Sequence, residues 1–481
     1  MAYSLRSIVT GSSAYTAAYA LTQATGFFLI PIYTRYLTPD DYGIISVLGA
    51  VVALGAAILG MGVYAPQVRY YHEFREDPKS AGELLFAINV LVIGVGVAVC
   101  LLLTGFGEPL FRLLIRDDTI LFVPFVVIAI WNAFLGTVNQ LVPSYLVATK
   151  QFFGGAALQF ARFVITVSLI ILFVVGRREG ALGSIKGVLF GHVVALAAFY
   201  WMYARHFTLR LRRIHVRNVL AMGLPVMVHG MAFAVMVSAD KLILKAYLPL
   251  SSVGLYSLGH KFGLVMSVIV LSVNRAWMPN YYELMDDDGI DRRAEIRRVF
   301  AVWLAVIGTL CIAGAALSRD VVGVITGEAY HGAWVVIPVI LLAYFFQGLY
   351  FFLSGPIFFF KRTLYLPFIT VAVAILNIGL NLLLIPRMGI MGAATSSLVS
   401  FATFALVSWL VARRLYDPHF SAARSLFLIF SVAGITLAGR FYEVPVSIQL
   451  AAALGYAGLC LLMFPKELLP LLRRVVNRAR R

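Results

Sequence analysis

Charge is what this sequence has least of. Asp, Glu, Lys and Arg make up only 13% of its 481 residues, about half the roughly 25% of a soluble domain. Hydrophobic residues reach 61%, against about 45–50% in soluble chains, and too little polar side chain is left to cover a water-soluble globule. Acids are scarcer still, 22 against 39 Lys and Arg. Cysteine is nearly missing: Cys100, Cys311 and Cys460 lie far apart, each inside an apolar run. That spacing excludes a disulfide framework and a thiolate metal site, so each reads as a small buried hydrophobe. There is no P-loop, HExxH or GxSxG, hence no ATP-driven engine and no hydrolase signature. Asp286-Asp287-Asp288-Gly289 lacks the alternating ligands of a calcium loop. It reads as a solvated loop ahead of a helix beginning near Asp291. The N-terminus shows no cleavage pattern after a short apolar core, so the first span is expected to be retained.

What the sequence does have is apolar runs long enough to cross a bilayer as helices. Fourteen spans are expected, at 9–34, 42–65, 82–106, 119–148, 152–176, 181–204, 218–247, 254–282, 299–317, 333–360, 364–385, 390–412, 424–440 and 445–464. The fold class is therefore an all-α polytopic membrane protein. The net charge of +17 raises the question of a nucleic-acid partner, but the bases sit at the ends of apolar runs, which is a topology signal. With the N-terminus inside, 25 Lys and Arg fall in cytoplasmic segments and nine outside. Both termini are thus expected in the cytoplasm, and no nucleic acid is expected as a partner.

The sequence also repeats. At an offset of 211, Tyr36-Leu37 falls on Tyr247-Leu248, Gly43 on Gly254, Ser46 on Ser257, Tyr70-Tyr71 on Tyr281-Tyr282 and Lys150 on Lys361. Spans 1–6 and 7–12 read as two copies of a six-helix unit, related by an axis along the membrane normal. The expected organisation is an N-lobe at 1–204, a basic cytosolic linker at 205–217 resting on anionic headgroups, a C-lobe at 218–412, and spans 13 and 14 with a basic tail at 413–481.

Ionisable residues deep in a membrane are costly and mark function by default. Of the acids only Asp240 sits well inside a span, whereas Arg162, Lys241, Lys261 and Arg275 do so among the bases. Asp240 lies seven residues before the end of span 7 and Lys261 seven into span 8, each about 10 Å deep at 1.5 Å per residue. An ion pair of Asp240 with Lys261 or Lys241, structural or tied to coupling, is expected. Lys261 and Arg275 share a helix face, and Gln159, Arg162 and Thr166 make a polar face on span 5. Gln23, Gln140, His192 and other polar residues add to the interior set, and Arg69 stands at the cytosolic mouth. Against these readings, Lys245 and Arg275 have the reach to snorkel, each histidine has an ordinary packing role, and aromatics such as Trp131, Tyr145 and Trp303 serve packing, with sugar stacking as the alternative.

Two stretches carry a resemblance. PIYTRYLTPDDYG (31–43) and SADKLILKAYLPLSSVGLYSLGHKFG (238–263) resemble the matched entry motifs of polysaccharide repeat-unit (O-antigen type) flippases of the multidrug/oligosaccharidyl-lipid/polysaccharide exporter superfamily. The resemblance implies a MATE-like fold, two six-helix lobes in a V with alternating access, in a bacterial inner membrane. It implies a transporter, not an enzyme. Its substrate would be an undecaprenyl-diphosphate-linked oligosaccharide, with membrane lipids, a polysaccharide polymerase and glycosyltransferases as partners. No cofactor is implied beyond coupling to a proton, a sodium ion or the membrane potential. A diphosphate needs cationic partners, so Arg162, Lys261, Arg275 and Arg69, with Gln159, Gln23 and Gln140, are the candidate cavity residues. Spans 13 and 14 also occur in lipid II flippases, which form a lipid groove there, so that branch is the alternative. A MATE-type cation-coupled drug antiporter would call for several membrane acids, and a polymerase or ligase for a long external loop.

Overall fold

In a bilayer only a helix or a closed barrel satisfies every backbone group, and among the described residues of this computed structural model there are helices and no strand. The structure describes residues 25–470 except 75, 116–118, 150–151, 288, 290, 363 and 442–443. A four-residue turn of helix at Thr25–Phe28 leads into α1 (Ile30–Tyr36), α2 (Pro39–Leu59), α3 (Tyr64–Glu73), α4 (Pro78–Phe106), α5 (Glu108–Ile115), α6 (Val127–Ala148), α7 (Phe152–Ile171) and α8 (Gly180–Tyr203). The remainder comprises α9 (Arg213–Tyr247), α10 (Leu250–Asp286), α11 (Arg292–Ile325), a 3-10 segment at Glu328–Val336, α12 (Ile337–Leu353), α13 (Tyr365–Met388), α14 (Ile390–Leu415), α15 (Ala422–Phe441) and α16 (Val446–Met463). Among the described residues, thirteen stretches are long and apolar enough to cross a membrane, and they coincide in order with expected spans 2–14. Most of span 1 lies outside the described residues.

Several of the scarce acids serve helix starts. Thr38 and Asp41 form a reciprocal capping box at α2, Asp77 accepts from the amides of Lys79 and Ser80 at α4, and Asp291 caps α11 through Ala294 N at 3.1 Å. Each satisfies amides that a helix start leaves open. Pro39 and Pro78 occupy the first helical turn, where a missing N–H costs nothing. Between α2 and α3 the chain bends at Gly62, whose φ of +64° favours glycine. A Cβ there would also strike the carbonyl of Gly223 on α9.

The chain packs as two compact units, 1–257 and 258–481. In the first unit α9 lies against α2, α3 and α4. In that unit α6 and α8 are bolted in parallel: Asn132 Nδ2 donates to Ile185 O at 3.0 Å and Asn139 Nδ2 to His192 O at 3.3 Å. Tyr33 on α1 meets Ser184 on α8 at 2.6 Å. In the second unit α12, α13 and α14 form one group, where Asn377 donates to Ser400 and Asn381 to Asn377, each at 3.0 Å. The last pair, α15 and α16, folds back on α11, with Tyr456 OH donating to Leu304 O at 3.3 Å over Gly308. All three cysteines are free and buried, and Trp131 is part-buried while Tyr145 and Trp303 sit in the core.

Candidate functional site

Arg162 lies near the middle of α7, part-buried, one turn from fully packed Gln159. Its Nη2 stands 3.4 Å from Nδ1 of His192 on α8. The α7–α8 contact is tight because Gly191, next to His192, leaves no room for a Cβ against Thr166. In the sequence His192 is one polar position among several. The fold makes it a neighbour of Arg162, held from the other side by the Asn139 bond to its carbonyl.

Asp240, near the end of α9, is 1% exposed. It accepts from Lys241 N at 2.8 Å, and Lys241 Nζ pairs with it at 3.2 Å while also reaching Val237 O. Its second oxygen takes the hydroxyl of Tyr256 from α10. A second helix starting at residue 254 would put Lys261 opposite Asp240. The helix begins four residues sooner, at Leu250, about one turn, so the residue level with Asp240 is Tyr256. Lys261 and Arg275 both lie on α10 beyond Ser257, in the second unit. Lys261 is part-buried and Arg275 exposed.

Of the other candidates, Arg69 is exposed on α3 and Gln140 exposed on α6. Gln23 lies outside the described residues. No group of three or more His, Cys, Asp or Glu that could hold a metal occurs among the described residues.

Sequence reasoning missed Glu83. It is fully buried in the first turns of α4. Arg212 Nε stands 2.7 Å from it, with His215 Nε2 at 3.7 Å and Arg210 Nη1 at 4.0 Å. The linker closes over it because Gly82 lets Thr208 approach to backbone distance. Arg212 therefore turns toward a carboxylate, with Arg210 at the edge of its reach. Arg213 and Arg217 remain exposed.

Comparison with known proteins adds the following. A family profile described as polysaccharide biosynthesis protein matches residues 8–285. The succinoglycan biosynthesis transport protein ExoT of Rhizobium meliloti is 24% identical over 322 residues, covering 66% of this chain and 62% of that protein. This match spans less than two thirds of the relative's length. Among solved structures, lipid II flippase MurJ in an inward closed conformation aligns over 95% of this chain and 99% of its own, with a TM-score of 0.68 and 12% identity. An inward-facing multidrug resistance MATE family transporter of the MOP superfamily aligns over 85% and 99%, with a TM-score of 0.64 and 13% identity. Such identities speak for fold alone, and the chain shares the fold of these two structures.

Proposed function

The chain belongs to the polysaccharide biosynthesis protein family, and from that premise we propose that it moves a polyprenyl-diphosphate-linked oligosaccharide, a polysaccharide repeat unit on undecaprenyl diphosphate, from the inner to the outer leaflet of a bacterial inner membrane. The Lys and Arg bias supports a cytoplasmic location for both termini. The observation that carries the reading is the charge balance of the membrane interior. Among the described residues the acid well inside a span, Asp240, is engaged by Lys241 and Tyr256, and the buried Glu83 at the start of α4 by Arg212. The bases Arg162, Lys261 and Arg275 exceed them, and a diphosphate is the headgroup that such an excess suits. Coupling to a proton, a sodium ion or the membrane potential is assigned to the Asp240 pair, and a polymerase and glycosyltransferases are the expected partners on either side of the transfer step.

The test is leaflet transfer of a defined undecaprenyl-diphosphate oligosaccharide in proteoliposomes. Replacing Arg162 and Arg275 together by Gln abolishes transfer while leaving the protein inserted. Wild-type transfer by that double variant sinks the proposal. A second reading, lipid II transfer, is favoured by the presence of α15 and α16 beyond the twelve-helix core. The same liposomes loaded with lipid II separate the two.

A further inference from the structure

The outer end of the second unit holds a cleft of about 240 Å³, room for roughly eight waters at about 30 Å³ each. The last turns of α11, the 3-10 segment before α12, and the facing ends of α15 and α16 enclose it. Five side chains give it chemistry: Arg319, Asp320, Trp334, Thr436 and Gln449.

We infer that this cleft is a carbohydrate subsite that holds one sugar ring of the glycan on the outer face. Its being outermost rests on the topology of the proposed function. A sugar ring offers an apolar C–H face and a rim of hydroxyls, so a site for it pairs an aromatic plane with planar polar groups. Trp334 supplies the plane, part-buried on one side of the cleft. Arg319 stands over its ring, 5.8 Å from the centroid, and keeps guanidinium donors for hydroxyl oxygens. Asp320, its neighbour in sequence, is exposed and has no ion pair with Arg319 within 4 Å, so its carboxylate is an acceptor for paired hydroxyls. Gln449 is fixed by its own amide, Nε2 donating to Val444 O at 2.6 Å and to Gly439 O at 3.4 Å. That fixes Oε1 beside Gly439, where a Cβ would displace it.

The mixed charge decides the ligand class. A diphosphate would meet the Asp320 carboxylate and a cationic drug the Arg319 guanidinium, whereas a neutral glycan uses both. The subsite also gives α15 and α16 a role, since together they form one wall.

The experiment uses the full-length protein in nanodiscs, where both faces are accessible, and saturation-transfer difference NMR with neutral free oligosaccharides, obtained by depolymerising succinoglycan and the producing strain's own polysaccharide and stripping their acid substituents. Wild type is expected to show transfer to sugar protons. Trp334→Ala and Asp320→Asn weaken binding at least tenfold, and Trp334→Phe keeps most of it. Asp320 is exposed, so its variant does not threaten folding. Wild-type binding in Trp334→Ala and Asp320→Asn, or no binding by wild type, overturns the subsite. Lipid-linked transfer measured on the same preparations separates the two claims. Trp334-dependent glycan binding without leaflet transfer counts against the flippase reading and keeps the subsite. Transfer by wild type with Trp334-independent binding does the reverse.

Discussion

Gly43 and Gly254 each press a bare Cα against the other's helix start: a Cβ on Gly43 would run into the carbonyl of Leu250, and a Cβ on Gly254 into that of Pro39. The contact is reciprocal, and its four residues are repeat mates, Pro39 with Leu250 and Gly43 with Gly254 at an offset of 211. The two copies of the motif therefore meet about a local two-fold, and what the repeat preserves there is a backbone-to-backbone contact that only glycine permits.

Gly43→Ala and Gly254→Ala should each destabilise the protein by at least the ~1–3 kcal/mol typical of overpacking. The reading is a fall in the midpoint of thermal unfolding in detergent or nanodiscs. Gly49→Ala, on the same helix but with nothing within 4 Å of its added Cβ, should be neutral or mildly stabilising. Equal losses at Gly49 and Gly43 would show that helix α2 merely dislikes substitution.

The Asp240 cluster makes a second prediction. Removing one member of a buried pair typically costs ~3–5 kcal/mol, because the other charge is left uncompensated. Asp240→Asn should therefore lower the unfolding midpoint strongly. Tyr256→Phe removes one hydrogen bond to a carboxylate, a smaller loss of about 1.5–3 kcal/mol. The double variant should cost less than the sum, since both act on one oxygen network. Strict additivity would place Tyr256 outside it.

Much of this fold was legible from patterning. Apolar runs marked spans 2–14, and Asp291 announced the start of α11. Other features needed the third dimension. Glu83 and Arg212 are 129 residues apart in sequence, and nothing local tells Glu83 from an acid at a span end. The misplaced start of α10 had a readable signal, since Pro249 directly precedes its first turn and proline favours helix starts. Hydropathy outweighed it because Ser251-Ser252 dilute the apolar run. Of the candidate cavity residues, Arg162 gained its neighbour His192 only through the α7–α8 approach at Gly191. The wall made by α15 and α16 depends on their return to α11, which no periodicity encodes.

Glu83 sets the state of the linker. Glu83→Gln keeps the shape and removes the charge that Arg212, Arg210 and His215 face. The segment from His206 to Arg212 should loosen, and trypsin added to inside-out vesicles should cut it several-fold faster than in wild type. Right-side-out vesicles should stay uncut in both, which also checks that the linker is cytoplasmic. Equal cleavage rates in wild type and variant would mean that Thr208 against Gly82 holds the linker without the carboxylate.

The two asparagines of α6 offer a test of how register is fixed. Asn132 and Asn139 are seven residues apart, and so are their acceptors, Ile185 and His192 on α8. Two parallel helices with a heptad of matched bonds cannot slide past each other without breaking both. Within a membrane such bonds average only ~0.6 kcal/mol and reach at most about 1.7, so Asn132→Leu or Asn139→Leu alone should cost little in thermal stability. Loss of both removes the register constraint while leaving the apolar contact, so the double variant should remain folded but shift Arg162 relative to His192. Cysteines placed at Gln159 and Ala195 in a cysteine-free background would report this through their cross-linking pattern. An unchanged pattern in the double variant would assign the register to the Gly191–Thr166 contact alone.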